Sequence, residues 1–216
     1  FLDFSEPATR ETWRDADDAR PLKIGIVGRI ARWKGQHVFL DAMKLVRDKW
    51  IRSPNAPQLQ FVIAGGALFG EDEYEQEIHE QAARLFPEGV VDWRGNIADV
   101  PALMRELDLL VHASIIPEPF GQVVIEGMAA GLPVVATRGG GVMEIVRSGE
   151  TGMLATMGDA RMLADFVLGL LNDPERASRY GQNGWHEVRK HFLPEHTASG
   201  IQAVYNTVRR GNGQSI

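Results

Sequence analysis

The sequence predicts an α/β fold: a Rossmann-like, doubly wound parallel sheet of about six strands in the order 3-2-1-4-5-6. Three observations predict it. Apolar runs of strand length alternate with segments of helical periodicity from residue 23 to residue 154, and such alternation builds a parallel sheet covered on both faces by crossovers of one hand. The two chemically distinctive loops follow the first and fourth strands, which in this order lie side by side where the winding reverses. With 216 residues, 44% of them apolar, the chain can bury roughly 70% of the surface its unfolded form exposes and needs no covalent staple.

The elements follow in order. Residues 1–20 are polar and acidic without periodicity and read as a lead-in or linker, leaving 21–216 as one domain. Residues 23–27 form the first strand, 28–34 a loop, and 36–52 a helix in which Val38, Phe39, Ala42, Leu45, Val46 and Trp50 recur at helical spacing. Breakers at 53–57 precede the second strand, 59–64, and Gly65-Gly66 turns the chain into a charged, surface-facing helix at 71–85. A third strand at 90–93, a short helix at 100–106 and a fourth strand at 109–112 come next. Helix 121–130, strand 133–136, helix 142–148 and strand 152–154 complete the alternation. The remainder is helical, with breaks expected near Asp173-Pro174, at 181–184 and at Pro194. There is no internal repeat or low-complexity tract.

The segment 117–137 is the most informative. Pro119 and Gly121 mark the start of a helix whose first turn carries unpaired N–H groups and a partial positive charge, a ready place for an anion. Glu118 lies just outside that helix and Glu126 about one and a half turns into it, so each can turn toward hydroxyl groups on either side of the anion. An anion flanked by hydroxyls describes a nucleotide sugar. The loop after strand 1 supplies Gly28, Arg29 and Lys34 and the loop after strand 4 supplies Ser114, Glu118 and Gly121, so basic side chains and a helix amino terminus converge on one diphosphate. Taken singly, Glu118 would read as a helix cap, Arg29 and Lys34 as solvated charges, Trp33 as a cover for the loop base, and the glycines at 139–141 as a tight turn. Their convergence is what favours a site.

Composition excludes other classes. A net charge of −6 disfavours a nucleic-acid binder, and the lack of cysteine removes disulfides, thiolate metal sites and a thiol nucleophile. No apolar run approaches the ~20 residues needed to span a bilayer, and no signal-like segment opens the chain. The start at Phe1 suggests a fragment or processed product. No Gly-x-Gly-x-x-Gly follows strand 1 and no Walker A lysine motif occurs. Asp15-Ala16-Asp17 resembles a two-acid metal motif but sits in the lead-in, and His186 and His191, five apart, point to different helix faces. No metal site is expected.

The pattern Gly28-Arg29, Lys34-Gly35, then Glu118-Pro119-Phe120-Gly121 with Glu126, resembles the carboxyl-terminal donor-binding domain of retaining glycosyltransferases of family 4, which have the GT-B fold. The runs 140–146 and 149–159 are similar to the family's next two signatures, so four ordered signatures extend the resemblance from residue 23 to the end. The resemblance implies that Arg29 and Lys34 stabilise the departing nucleoside diphosphate in place of a metal ion, and that Glu118 holds hydroxyls of the transferred sugar. It implies backbone contacts from Phe120 and Gly121 to that sugar, and that Glu126 binds the ribose hydroxyls, with Gln122, Ser114, Gly140 and Gly141 completing the donor site. The loop carrying Arg94, Asn96 and Ile97 would lie beside the base. Ala113, Gln122 and Met143 depart from the family's usual residues, which bears on sugar preference.

The function implied is retaining, metal-independent transfer from an NDP-sugar substrate, with no cofactor. The acceptor, a sugar, lipid-linked sugar or other small molecule, would be bound by an amino-terminal domain absent from this chain. The expected location is cytoplasmic, with any peripheral attachment to the inner membrane face made through that domain. Two other readings are a noncatalytic nucleotide-sugar-binding or scaffolding domain and a GT-B type nucleotide-sugar epimerase.

Overall fold

A computed structural model describes residues 20–54 and 56–212. The Asp15-Ala16-Asp17 motif and most of the predicted lead-in lie outside the described residues, as does Asn55 within the 53–57 breakers. Six parallel strands form one sheet in the order β3-β2-β1-β4-β5-β6, as predicted. They are β1 (Leu22–Val27), β2 (Leu59–Ala64), β3 (Val91–Gly95), β4 (Leu109–His112), β5 (Val134–Thr137) and β6 (Met153–Ala155). Eight α-helices connect and cover them: α1 (Gln36–Trp50), α2 (Asp72–Leu85), α3 (Val100–Glu106), α4 (Gln122–Ala129), α5 (Val142–Ile145), α6 (Ala160–Leu171), α7 (Pro174–His191) and α8 (Pro194–Asn212). A 3-10 turn, Arg32–Lys34, precedes α1. No described helix is long and apolar enough to cross a membrane.

The two-residue period of the strands explains the two cores. Phe61, Ile63, Leu109, Val111 and Val135 point to one face, where α1, α2 and α6 bury Phe39, Met43, Ile78, Leu163 and Val167. Val62, Ala64, Leu110, Val134 and Ala136 point to the other, under Leu103, Met104, Val124, Met128 and Val142. Both faces are covered, so the strands read as continuous apolar runs. Arg20, which the sequence assigns to the lead-in, makes a bidentate pair with buried Asp108 at 2.7 and 2.8 Å, and Asp108 also accepts from the Lys23 amide, so the start of β1 is tied to the start of β4.

Two expectations need correction. The predicted break at 181–184 does not occur: α7 runs unbroken through both glycines. A Cβ at Gly181 would lie 2.1 Å from the Gly131 carbonyl oxygen, so glycine here lets α7 press on the end of α4 rather than ending a helix. Helix α5 stops at Ile145 instead of 148 because Val146 is extended and the Arg147 amide bonds the Thr151 hydroxyl at 2.9 Å. The other boundaries move by one or two residues.

Two kinds of helix start stand out. Asp99, Asp159 and Asp173 cap α3, α6 and α7, each accepting from the amide three residues on at 2.9 to 3.0 Å. By contrast α1 and α4 begin at left-handed glycines, Gly35 and Gly121, with no side-chain cap. Those two helices start beyond the carboxyl ends of their strands, α1 after β1 and α4 after β4.

Candidate functional site

Strands β1 and β4 pair in the register Ile24↔Leu109, and the loops leaving them face each other across an open cleft of about 380 Å³. Gly28, Arg29 and Lys34 line it from the first loop, Glu118 from the second, and Gln122 and Glu126 from α4. Val27, Trp33, Val100 and Val123 supply apolar wall. Four of the charged residues singled out in the sequence, Arg29, Lys34, Glu118 and Glu126, therefore share one cavity.

The first loop is held by its neighbours: the Gly28 amide donates to the Ala64 carbonyl and the Ile30 amide to Gly66, both at 2.9 Å, and buried Gln36 donates to the Arg29 carbonyl at 3.0 Å. Its far end docks on the second loop. The Ile115 amide donates to the Trp33 carbonyl at 2.8 Å, and Gly35, at φ 74°, brings its Cα so close to the Ala113 carbonyl that a Cβ would lie 2.0 Å from the oxygen. The second loop is pinned from behind: the Gly141 amide donates to the Glu118 carbonyl at 2.9 Å, and a Cβ at Gly140 would lie 2.0 Å from the same oxygen. Close approach at the triple glycine is thus to the chain's own backbone.

The two cations differ. The Arg29 guanidinium sits 5.5 Å from the ring centroids of both Trp33 and Phe69 and makes no ion pair among the described residues. Phe69 is 89% exposed and holds φ 60°, a conformation uncommon for a bulky residue. Lys34 is already engaged: its Nζ lies 2.6 Å from Glu118 Oε2 and 4.3 Å from the Trp33 ring centroid.

Glu118 has two unlike oxygens. Oε2 takes contacts from Lys34 Nζ at 2.6 Å, Ser114 Oγ at 3.2 Å and His112 Nε2 at 3.5 Å, whereas Oε1 has no partner among the described residues. Burial pushes this carboxyl up, but the hydrogen bonds and charges of His112 and Lys34 outweigh burial and hold it at about 2, below its ordinary 4.5. A depressed folded value stabilises the fold above the unfolded value, and that stabilisation is lost as pH falls from about 4.5 through about 2. Carbon NMR of the side-chain carboxyl is expected to show ionised Glu118 across the neutral range, and its midpoint should move upward in Lys34→Ala. Glu126 is simpler, accepting at Oε1 from Gln122 at 2.8 Å. In the first turn of α4 the Gln122 and Val123 amides have no hydrogen-bond partner among the described residues, leaving two donors at the cleft.

Other residues singled out in the sequence lie elsewhere. Arg94 pairs with Asp92 at 2.7 Å and Glu106 at 3.1 Å, Asn96 packs beside Gly66, and Ile97 joins the α3–α4 core; none lines the cleft. Phe120 is 58% exposed, and Ser114 is buried beneath Glu118. Sequence reasoning passed over His112 and Thr137, both buried and both in contact with Ser114. The available signal was a polar residue closing an otherwise apolar strand, Leu109–His112. Among the described residues no three acidic or histidine side chains converge as metal ligands.

Residues 9–186 match the model of the family described as glycosyl transferases group 1, and the chain belongs to that family. It is 30% identical over 211 residues to the lipopolysaccharide core biosynthesis mannosyltransferase LpsB of Rhizobium meliloti (strain 1021), covering 96% of this chain and 58% of the relative. It superposes on Anabaena Alr3699/HepE in complex with UDP-glucose with a TM-score of 0.79 at 34% identity, covering 87% of this chain and 49% of that one. The C-terminal domain of a glycosyl transferase group 1 family protein (LpcC) from Francisella tularensis is covered completely, with a TM-score of 0.75, 27% identity and 90% of this chain. The fold is that of the carboxyl-terminal domain of GT-B glycosyltransferases, and the chain spans about half the length of the curated relatives it matches and of the Anabaena protein.

Proposed function

We propose that this member of the group 1 glycosyl transferases binds the NDP-sugar donor of a retaining, metal-independent hexosyl transfer. One observation carries the reading: Arg29, Lys34, Glu118 and Glu126 line a single cleft, with the first turn of α4 opening onto it. The cavity falls within the ~300–1,000 Å³ usual for small-molecule sites. Relatives point the same way, since the matching Anabaena protein is a complex with UDP-glucose and the Rhizobium relative is a mannosyltransferase.

In this reading the diphosphate lies between Arg29 and the free amides of Gln122 and Val123. The Lys34 ammonium has three hydrogens and shares itself between Glu118 and a phosphate oxygen. Glu118 Oε1 accepts from a sugar hydroxyl, and the Phe120–Gly121 backbone touches the same sugar. Glu126 takes the ribose hydroxyls, and the base lies toward Val100 and the loop 94–97. When the bond from the sugar's anomeric carbon to the diphosphate breaks, its electron pair leaves on the diphosphate, where Arg29 and Lys34 stabilise the new charge. Residues 21–216 form the donor domain; the acceptor, and any membrane attachment, belong to a second domain outside this chain.

Calorimetric titration with UDP, GDP, ADP and their sugar conjugates tests the reading. Arg29→Ala is expected to lower nucleoside diphosphate affinity by about 1.5 kcal/mol, roughly tenfold, and nucleoside affinity hardly at all. Lys34→Ala should cost less than Arg29→Ala, because its charge is already shared with Glu118. Equal losses for nucleoside and nucleotide would reject the diphosphate assignment. Donor binding should also survive EDTA, since cationic side chains and a helix amino terminus face the diphosphate; restoration of a lost affinity by magnesium would reject metal independence.

A further inference from the structure

We infer that His112 is a positioning residue for Glu118, and that the proton on its Nε2 decides whether the Ser114 hydroxyl serves the carboxylate or the ring. The inference rests on the reading of Glu118 as the sugar-side acid.

Counting hydrogens leads to it. His112 closes β4, is only 4% exposed, and pairs in register with Ala136 of β5, so its ring is fixed by the sheet. Nδ1 lies 3.4 Å from Thr137 Oγ1, while that hydroxyl donates its one hydrogen to the Ser114 carbonyl at 2.8 Å. Toward the ring Thr137 can therefore only accept, which places a proton on Nδ1. Nε2 lies 3.1 Å from Ser114 Oγ and 3.5 Å from Glu118 Oε2, and Ser114 Oγ lies 3.2 Å from the same carboxylate oxygen. Ser114 also has one hydrogen, so it cannot serve both.

Two states follow. With a bare Nε2, the Ser114 hydroxyl turns to the ring, and Glu118 Oε2 keeps Lys34 while facing a nitrogen lone pair. With a proton on Nε2, the ring donates toward Ser114 and Glu118, the Ser114 hydroxyl turns to Glu118, and Oε2 is held from three sides. The carboxylate plane is then fixed and Oε1 is left aimed into the cleft as the single free acceptor. The groups facing the ring are Ser114 and Glu118 from the loop after β4, Thr137 from the end of β5, and, through Glu118, Lys34 from the 3-10 turn. Among the described residues it has no other hydrogen bond or ion pair. Lys34, which also faces the diphosphate, keeps its contact with Glu118 Oε2 in both states, so the nucleotide end of the cleft is the same in each.

The test is the affinity of wild-type chain and His112→Gln for UDP-glucose, GDP-mannose, UDP and GDP, titrated at several pH values between about 5 and about 8. Comparing the two proteins at each pH cancels ionisation of the ligands. At the acid end wild type is expected to bind the preferred sugar conjugate roughly five- to tenfold more tightly than His112→Gln, the effect of about one hydrogen bond to a charged group, and this advantage should shrink as pH rises. For the bare nucleotide the two proteins should agree at every pH. If His112→Gln does not fold, Ser114→Ala replaces it with the same expectation, and nitrogen NMR of wild type should show the His112 Nε2 resonance shifting on addition of the sugar conjugate but not of the nucleotide. A wild-type advantage that is absent, or independent of pH, overturns the inference. If Glu118→Gln leaves the preference for conjugate over nucleotide intact, or if neither conjugate binds, the underlying reading fails with it. If Glu118→Gln abolishes the preference while the advantage over His112→Gln is flat, the role of His112 alone is wrong.

Discussion

Glu118→Ala is expected to lower affinity for the sugar conjugate by up to about 3 kcal/mol, roughly a hundredfold, because the carboxylate is largely buried and its free Oε1 is the predicted sugar contact. The bare nucleotide should bind as well as before or slightly better, since Lys34 loses the partner at 2.6 Å that now shares its charge. Glu126→Ala should instead weaken nucleotide and conjugate alike, by about tenfold, because the ribose is common to both. Among the described residues the Glu126 side chain has only Gln122 as a partner, so its removal frees no buried cation. Titrating both variants with nucleotide and conjugate gives four affinities. If Glu118→Ala harms the bare nucleotide as much as Glu126→Ala does, the sugar and ribose ends have been exchanged.

The sheet was legible because its signals are local. A strand buried on both faces must be apolar at every position, as Leu109–His112 and Val134–Thr137 nearly are, and the alternation of such runs with amphipathic helices fixes parallel pairing. Convergence of Arg29, Lys34, Glu118 and Glu126 was legible for the same reason, since the strand order alone brings their loops together. What could not be read was direction and partnership. Arg94 was assigned to the base-side loop, yet its guanidinium turns to Asp92 and Glu106, a choice that depends on where α3 places an acid twelve residues later. Gly181 looked like a break because a glycine in a helix and a glycine against a neighbouring backbone leave the same letter. His112 was passed over because its partners, Ser114, Glu118 and Thr137, meet it only once β5 lies beside β4.

Gly35→Ala is expected to destabilise the fold and the site together. At φ 74° an L-residue pays roughly 1–2 kcal/mol for the left-handed conformation. The added methyl would also stand 2.0 Å from the Ala113 carbonyl oxygen, a clash with backbone that no side-chain rotation relieves, and overpacking of this kind costs a further ~1–3 kcal/mol. A total of about 3 kcal/mol should lower the melting temperature by roughly 6–12 °C for a domain of this size. Relief must come from separating the 3-10 turn that carries Lys34 from the strand end that leads to Glu118, so affinity for nucleotide and sugar conjugate should both fall. Gly89→Ala is the control, because Gly89 has φ 82° but nothing within 4 Å of the position its Cβ would take. It should lose only the conformational part, with donor affinity unchanged. Should Gly35→Ala melt no lower than Gly89→Ala and bind donor equally well, then conformation alone, rather than the contact between the two loops, would account for glycine at position 35.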